Sequence, residues 1–239
     1  MTSKTSILEK LSSDIGYVLS GQQIEQFNDF YKMLVEKNKV MNLTAITEYD
    51  EVVLKHFIDS IVINKRISDD NVKSIMDVGT GAGFPGIPLK ILFPEIKLTL
   101  LDSLNKRILF LNEVIYNLGL DNIECVHGRA EDVGHLLEFR EQYDLTVSRA
   151  VANLSSLSEY CIPFVRVGGK FISYKSGVID EELSSAKTAI QLLGSEIEEV
   201  EKYTLPDSDI QRSLVVIRKE KKLSKKYPRK AGIPGKQPL

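Results

Sequence analysis

Cysteine is scarce: the 239-residue chain has two, Cys125 and Cys161, far apart and without metal-ligand spacing. That sets a zinc module aside and leaves two reduced, buried thiols as the reading. Long apolar runs are missing too. No stretch approaches the ~18 apolar residues of a membrane-spanning helix. The start, MTSKTSILEK, lacks a basic segment leading into an apolar core, so no signal peptide is expected and the protein is expected in the cytoplasm. Without secretion, the sequons at Asn42 and Asn153 carry no meaning. Repeats and low-complexity tracts are absent. What remains is an ordinary globular composition, 43% hydrophobic and 27% charged, with room for one large α/β domain plus a subdomain, or for two small domains.

The net charge of −2 conceals an asymmetry. Residues 218–239 hold nine Lys/Arg against one Glu, a charge of +8, which leaves −10 on the other 217 residues. An acidic body with a basic tail suggests a polyanionic partner reached through the tail; a solvated terminal run that aids solubility would look the same.

Helical spacing of apolar residues predicts helices over 22–37 (Ile24, Phe27, Phe30, Tyr31, Leu34, Val35) and 48–66 (Val52, Val53, Phe57, Ile58, Ile61, Val62). From residue 74 the rhythm changes. Strands are predicted at 74–79, 97–102, 123–128, 143–150, 168–175, 197–205 and 212–220, with helices at 86–93, 104–118 and 180–193. This alternation implies a mostly parallel seven-stranded sheet covered on both faces. The last two strands are joined by about six residues, too few for a parallel crossover, so the final strand should run antiparallel at or near an edge. The tail, with Pro228, Pro234, Pro238, Gly232 and Gly235, is expected as a loop rather than a regular helix.

The segment DVGTGAGFPG, from Asp77 to Gly86, ends the first predicted strand and contains a G-x-G-x-x-G. That pattern alone suggests a dinucleotide. However, Asp77 would bring a carboxylate toward a pyrophosphate, and Pro85 removes an amide donor. Both suit a ligand with a cationic part and no phosphate, such as S-adenosylmethionine. Gly79, Gly81 and Gly83 let the backbone approach it closely. Asp102 ends the second strand about 20 residues on, where an acid accepts ribose hydroxyls. Ala130 and Glu131, after the third strand, lie where an adenine would reach: a backbone amide for a ring nitrogen, a side chain for the exocyclic amine. No single one of these signals is specific, but together they are.

The chemistry of the acceptor is framed by further absences. After the fourth strand there is no Asn/Asp-Pro-Pro-aromatic clamp for an exocyclic amine. Neither cysteine sits in a Pro-Cys or Thr-Cys loop, as covalent attack on a pyrimidine would need. No clustered acid–base pair offers to deprotonate a hydroxyl. Guanine N7, an exposed lone pair unprotonated at neutral pH, needs only in-line placement. The sequence permits such an acceptor without requiring it.

NKVMNLTAITE, HFIDS, MDVGTGAGFPGIPL, LLDSLNKR, GRAED, SRAVANL and KYPRKAGIPGKQPL together resemble the ribosomal RNA small subunit methyltransferase G family, also called glucose-inhibited division protein B. The resemblance runs from about residue 20 to the C-terminus. It implies the class I methyltransferase fold, S-adenosylmethionine as cofactor, and methylation of N7 of one guanine in 16S rRNA, free or within the small ribosomal subunit. It also implies cofactor contacts at Gly79, Phe84, Ala130, Glu131 and Arg149. The segment SYKSG resembles the family's Lys-Gly turn with a Ser inserted, leaving the role of Lys175 open. Arg149 has several readings: a phosphate or guanine O6 ligand, packing on the cofactor, or a salt bridge to Asp77 or Asp102. His56 and Asp59, three apart on a helix, either line the acceptor side or form a packing pair, and His127 reads as a hydrogen-bonded strand-end histidine. Lys222, Lys225, Lys226, Arg229, Lys230 and Lys236 offer phosphate contacts, with Tyr227 as a stacking ring. The expected organisation is a helical cap (1–70), a methyltransferase domain (71–220) and a basic tail (221–239), acting as a monomer without metal or membrane. The alternatives are a methyltransferase of a small molecule or protein, and a non-catalytic RNA-binding module that keeps the fold.

Overall fold

Seven strands pair into one sheet in a computed structural model that describes residues 4–239. The first three residues of the expected cap lie outside this range. The strands are β1 (Ser74–Val78), β2 (Lys97–Asp102), β3 (Ile123–His127), β4 (Tyr143–Arg149), β5 (Val165–Ser176), β6 (Ser195–Thr204) and β7 (Gln211–Lys219), in the order β3-β2-β1-β4-β5-β7-β6. The first five run parallel. β7 is antiparallel to both of its neighbours and lies one place in from the edge, as its short connection from β6 required. β5 starts three residues earlier than its Gly-Gly pair suggested, because Gly168 (φ +80°) lets the strand continue through the turn.

Strand alternation divides the core in two. Ile75, Leu98, Leu100, Leu145 and Val147 face one layer, and Met76, Val78, Leu101 and Phe171 face the other. The first layer is built from α1 (Lys4–Asp14), α2 (Gly21–Met41), the short helices α3 (Tyr49–Val52), α4 (Asp59–Ile61) and α5 (Asn64–Asp69), α6 (Gly86–Leu92) and α7 (Asn105–Leu118). The cap therefore shares its core with the sheet. A capping box between Ser20 and Gln23 starts α2, and Asn42 in left-handed conformation ends it. Where periodicity predicts one helix over 48–66, the segment breaks: Val53–Ile58 is a π-helical turn between α3 and α4. Such a turn keeps the apolar spacing nearly intact, so hydrophobic periodicity does not reveal it.

The opposite layer holds α8 (Ala130–Val133), α9 (Leu154–Cys161) and α10 (Asp180–Leu192). The tail docks on it and ends in the short helix α11 (Ile233–Lys236). Leu223 and Tyr227 are buried there. Arg140 donates to the carbonyls of Leu223, Ser224 and Tyr227, and the Ser155 and Ser156 hydroxyls donate to those of Leu239 and Pro234. Among the described residues no helix is long and apolar enough to cross a membrane.

Candidate active site

The chain runs outward from β1 to β3 and returns to β4 beside β1, so the carboxyl ends of β1 and β4 form the switch point where doubly wound sheets open a crevice. Two cavities occupy this end. One, of about 300 Å³, is lined by Gly79, Asp102, Ala130, Glu131, Tyr160 and Gly232 among others. The other, of about 660 Å³, is lined by His56, Asp59, Arg149, Asn153, Lys175 and Glu182 among others. The loop after β4 is their common wall: Val151 lines the smaller cavity, while Ala150 and Ala152 line the larger. Ala150 holds φ +58°, a conformation that non-glycine residues rarely adopt.

The smaller cavity gathers four of the sequence-predicted residues. Gly79 has φ +71°, and a Cβ there would stand 2.6 Å from Val151 Cγ2, so only glycine keeps this wall open. Asp102 is buried; it accepts from the amides of Gly81 (2.9 Å) and Leu104 (2.9 Å) and from Arg107 (3.2 Å). Three of roughly four acceptor sites on the carboxylate are filled. Glu131 Oε1 accepts from the Gly232 amide at 2.8 Å, so the tail supplies part of this cavity. Oε2 has no partner among the described residues. Gly232 carried no recognisable signal, because only docking of the tail brings it here, and Tyr160 on α9 carried none either.

Asp77 lines neither cavity. It is fully buried beneath the loop, and its Oδ2 accepts from the Gly86 amide at 2.8 Å, tying β1 to the start of α6. Burial pushes this carboxyl up to about 7, against the pull of the Thr80 hydroxyl and the Gly86 amide. Gly81, Gly83 and Phe84 also lie outside both linings. Phe84 is buried, stacked on His56 (4.7 Å, 20°) and beneath the Arg149 guanidinium (5.2 Å).

Arg149 pairs with neither Asp77 nor Asp102. Its partner is Asp59 (3.1 Å), with the Lys55 carbonyl at 3.3 Å. Asp59 comes from the N-terminal layer and also takes Arg212 (3.3 Å) and the Tyr203 hydroxyl (3.2 Å). His56 and Asp59 thus both line the larger cavity and pack within it. The π turn brings Lys55 and His56 to the same wall; Lys55 and Arg212 were missed, since neither stands out from a helix or strand pattern. His56 bonds to the Thr44 hydroxyl (2.8 Å), and burial, then the Arg149 charge, lowers it to about 4. Across the cavity, Lys175 Nζ donates to the Ala152 carbonyl (2.9 Å) and to Glu182 Oε1 (2.6 Å). Burial pushes the Cys125 thiol to about 12 and raises that of Cys161, so neither is a ready thiolate. His127, on the exposed end of β3, contacts the Ser103 carbonyl at 3.2 Å.

In the tail, Lys222, Lys225, Lys226, Lys230 and Lys236 are exposed. Two expectations change. Arg229 grips the buried Glu159 through Nε and Nη2 (3.1 and 2.7 Å), so it anchors the tail instead of facing solvent. Tyr227 is buried and cannot serve as a stacking ring, and Lys226 lies over it at 4.8 Å.

The family model described as rRNA small subunit methyltransferase G (GidB) matches residues 23–215. A Ribosomal RNA small subunit methyltransferase G from Lachnoclostridium phytofermentans is 50% identical over 239 residues, covering 100% of this chain and 98% of the relative. The protein of that name from Acetivibrio thermocellus is 52% identical over 228 residues, covering 95% and 93%. Among solved structures, NSun6 from Pyrococcus horikoshii, with SFG, has a TM-score of 0.54 at 15% identity, covering 68% of this chain and 52% of that one. M. jannaschii TYW2 in complex with AdoMet gives 0.50 at 16%, covering 66% and 74%. These structural likenesses establish the fold, a class I methyltransferase sheet. With the family model spanning most of its length and relatives identical at half their positions, the chain belongs to the rRNA small subunit methyltransferase G family.

Proposed function

We propose that this chain transfers a methyl group from S-adenosylmethionine to N7 of one guanine in 16S rRNA. The observation that carries the reading is the pair of cavities sharing the loop after β4, one suited to a nucleoside and the other to an incoming base. The relatives' name supplies small-subunit rRNA as substrate class.

The smaller cavity fits the cofactor on its own residues. Gly79 keeps the wall open, Asp102 retains an acceptor site for a ribose hydroxyl, and Glu131 Oε2 awaits a donor such as an exocyclic amine. Gly81 and Gly83 shape the loop, and Asp77 holds it down from below. Phe84 and Arg149 act from the acceptor side, where Arg149 orients. When bound, S-adenosylmethionine supplies an electrophilic methyl group on a sulfonium.

In the larger cavity the titratable groups are paired or held neutral. Asp59 is shared by two arginines and a tyrosine, Lys175 is paired with Glu182, and His56 is held neutral with Nε2 on Thr44. A site so arranged suits an acceptor that already presents a lone pair, as guanine N7 does. The protein's contribution is then alignment and exclusion of water, worth several kcal/mol of barrier. The exposed tail lysines would hold rRNA phosphates without reading sequence.

The test is transfer of labelled methyl from S-adenosylmethionine to small-subunit RNA taken from a strain lacking this protein, followed by nucleoside analysis. Label in N7-methylguanosine is expected. Label in another nucleoside would refute the N7 assignment, and no label in any RNA would refute the enzyme.

A further inference from the structure

We infer that the Lys175–Glu182 ion pair reads the Watson–Crick edge of the target base and selects guanine; this rests on the acceptor reading above. Each partner keeps some hydrogen-bonding capacity free. Lys175 Nζ spends two of its three donors on Ala152 O and Glu182 Oε1. Glu182 Oε1 takes Lys175 and the Leu154 amide (2.5 Å), and Oε2 has no partner among the described residues. The pair is mostly shielded, with side-chain exposures of 12% and 27%, and both residues line the larger cavity. It therefore presents one donor beside one acceptor, fixed to β5 and α10, and held by the start of α9.

Guanine has the complementary order. Around its edge from N7 come O6, an acceptor, then N1–H and the 2-amino group, both donors. Lys175 and Glu182 stand side by side on the wall of the larger cavity, each tied to the chain after β4, Lys175 through the Ala152 carbonyl and Glu182 through the Leu154 amide. With N7 turned toward the loop after β4, O6 meets Lys175 and the N1/N2 edge meets Glu182 Oε2. Adenine reverses the pattern, with an amine where Lys175 donates and a bare ring nitrogen where Glu182 accepts, so both contacts become repulsive. Single-stranded RNA bases are commonly read on this edge.

The test uses full-length protein and 16S rRNA substrates bearing guanine or inosine at the methylated position. Inosine keeps N7, O6 and N1–H and lacks only the 2-amino group. For the wild type, kcat/KM is expected to fall on the order of tenfold on inosine, as for a lost hydrogen bond to a charged group. Glu182→Gln keeps its carbonyl toward Leu154 and Lys175, both donors, and so turns an NH2 toward the base. Its rate on guanine is expected to drop at least tenfold, with guanine and inosine then used about equally. A purely structural role for Glu182 would lower both substrates alike and keep the wild-type ratio, which would overturn the inference. So would equal use of guanine and inosine by the wild type, a result that stands even if the variant fails to fold. No transfer by wild type to the guanine substrate would instead overturn the functional reading, and the pair's role with it.

Discussion

Replacing Asp59 with Ala should destabilise the protein and disorganise its larger cavity. The carboxylate is 4% exposed and joins the N-terminal layer to the sheet through Arg149 (3.1 Å), Arg212 (3.3 Å) and Tyr203 (3.2 Å). Removing it leaves two guanidinium groups without their shared counter-ion and a part-buried hydroxyl without its acceptor. Breaking a buried ion pair costs about 3–5 kcal/mol. Arg149 and Arg212 retain some solvent contact, so the lower end applies, about 3 kcal/mol. For a domain of this size that corresponds to a fall in Tm of about 6–12 °C. Urea denaturation followed by circular dichroism measures it directly. Asp59→Asn, which keeps one acceptor, should fall between. A loss below about 1 kcal/mol for Asp59→Ala would refute the claim that this node joins cap and sheet.

Three further outcomes are expected. Gly79→Ala should push Val151 into the smaller cavity and weaken S-adenosylmethionine binding by at least tenfold in calorimetry; unchanged affinity would remove Gly79 from the cofactor wall. His56 is held near 4, below its ordinary 6.5, so the unfolded chain takes up a proton first and stability present above pH 6.5 is lost as pH falls toward 4. His56→Phe keeps the stack on Phe84, so the stability difference between wild type and variant should shrink by about 3 kcal/mol over that range in denaturation at several pH values; a constant difference would contradict the buried, neutral histidine. Neutralising Lys222, Lys225, Lys226 and Lys230 together should flatten the salt dependence of RNA affinity, whereas Arg229→Gln should lower Tm by stranding Glu159, and the reverse pattern would reassign both.

That Gly79, Asp102 and Glu131 come together was legible in sequence because each follows a strand end, and the order of the strands sets those ends side by side. The final antiparallel strand was legible because a short link permits nothing else. The role of Asp77 was not. Its position suggested a carboxylate facing a cation, yet the side chain turns beneath the loop to the Gly86 amide, a choice of rotamer that spacing cannot express. The partner of Arg149 was hidden for a related reason: Asp59 is ninety residues away, on a segment whose π turn periodicity cannot register. The basic tail was read by charge alone, which does not separate Arg229, committed to Glu159, from the exposed lysines beside it. Nor could composition indicate that Gly232 lines the smaller cavity, since its contact with Glu131 exists only once the tail has docked.

Nucleotide-resolution mapping of N7-methylguanosine in 16S rRNA, from a strain lacking this protein and from the same strain with it restored, is the decisive measurement of the proposed methyl transfer. One guanine is expected to lack its methyl group in the first strain and to carry it in the second. An unchanged N7-methylguanosine map would contradict it.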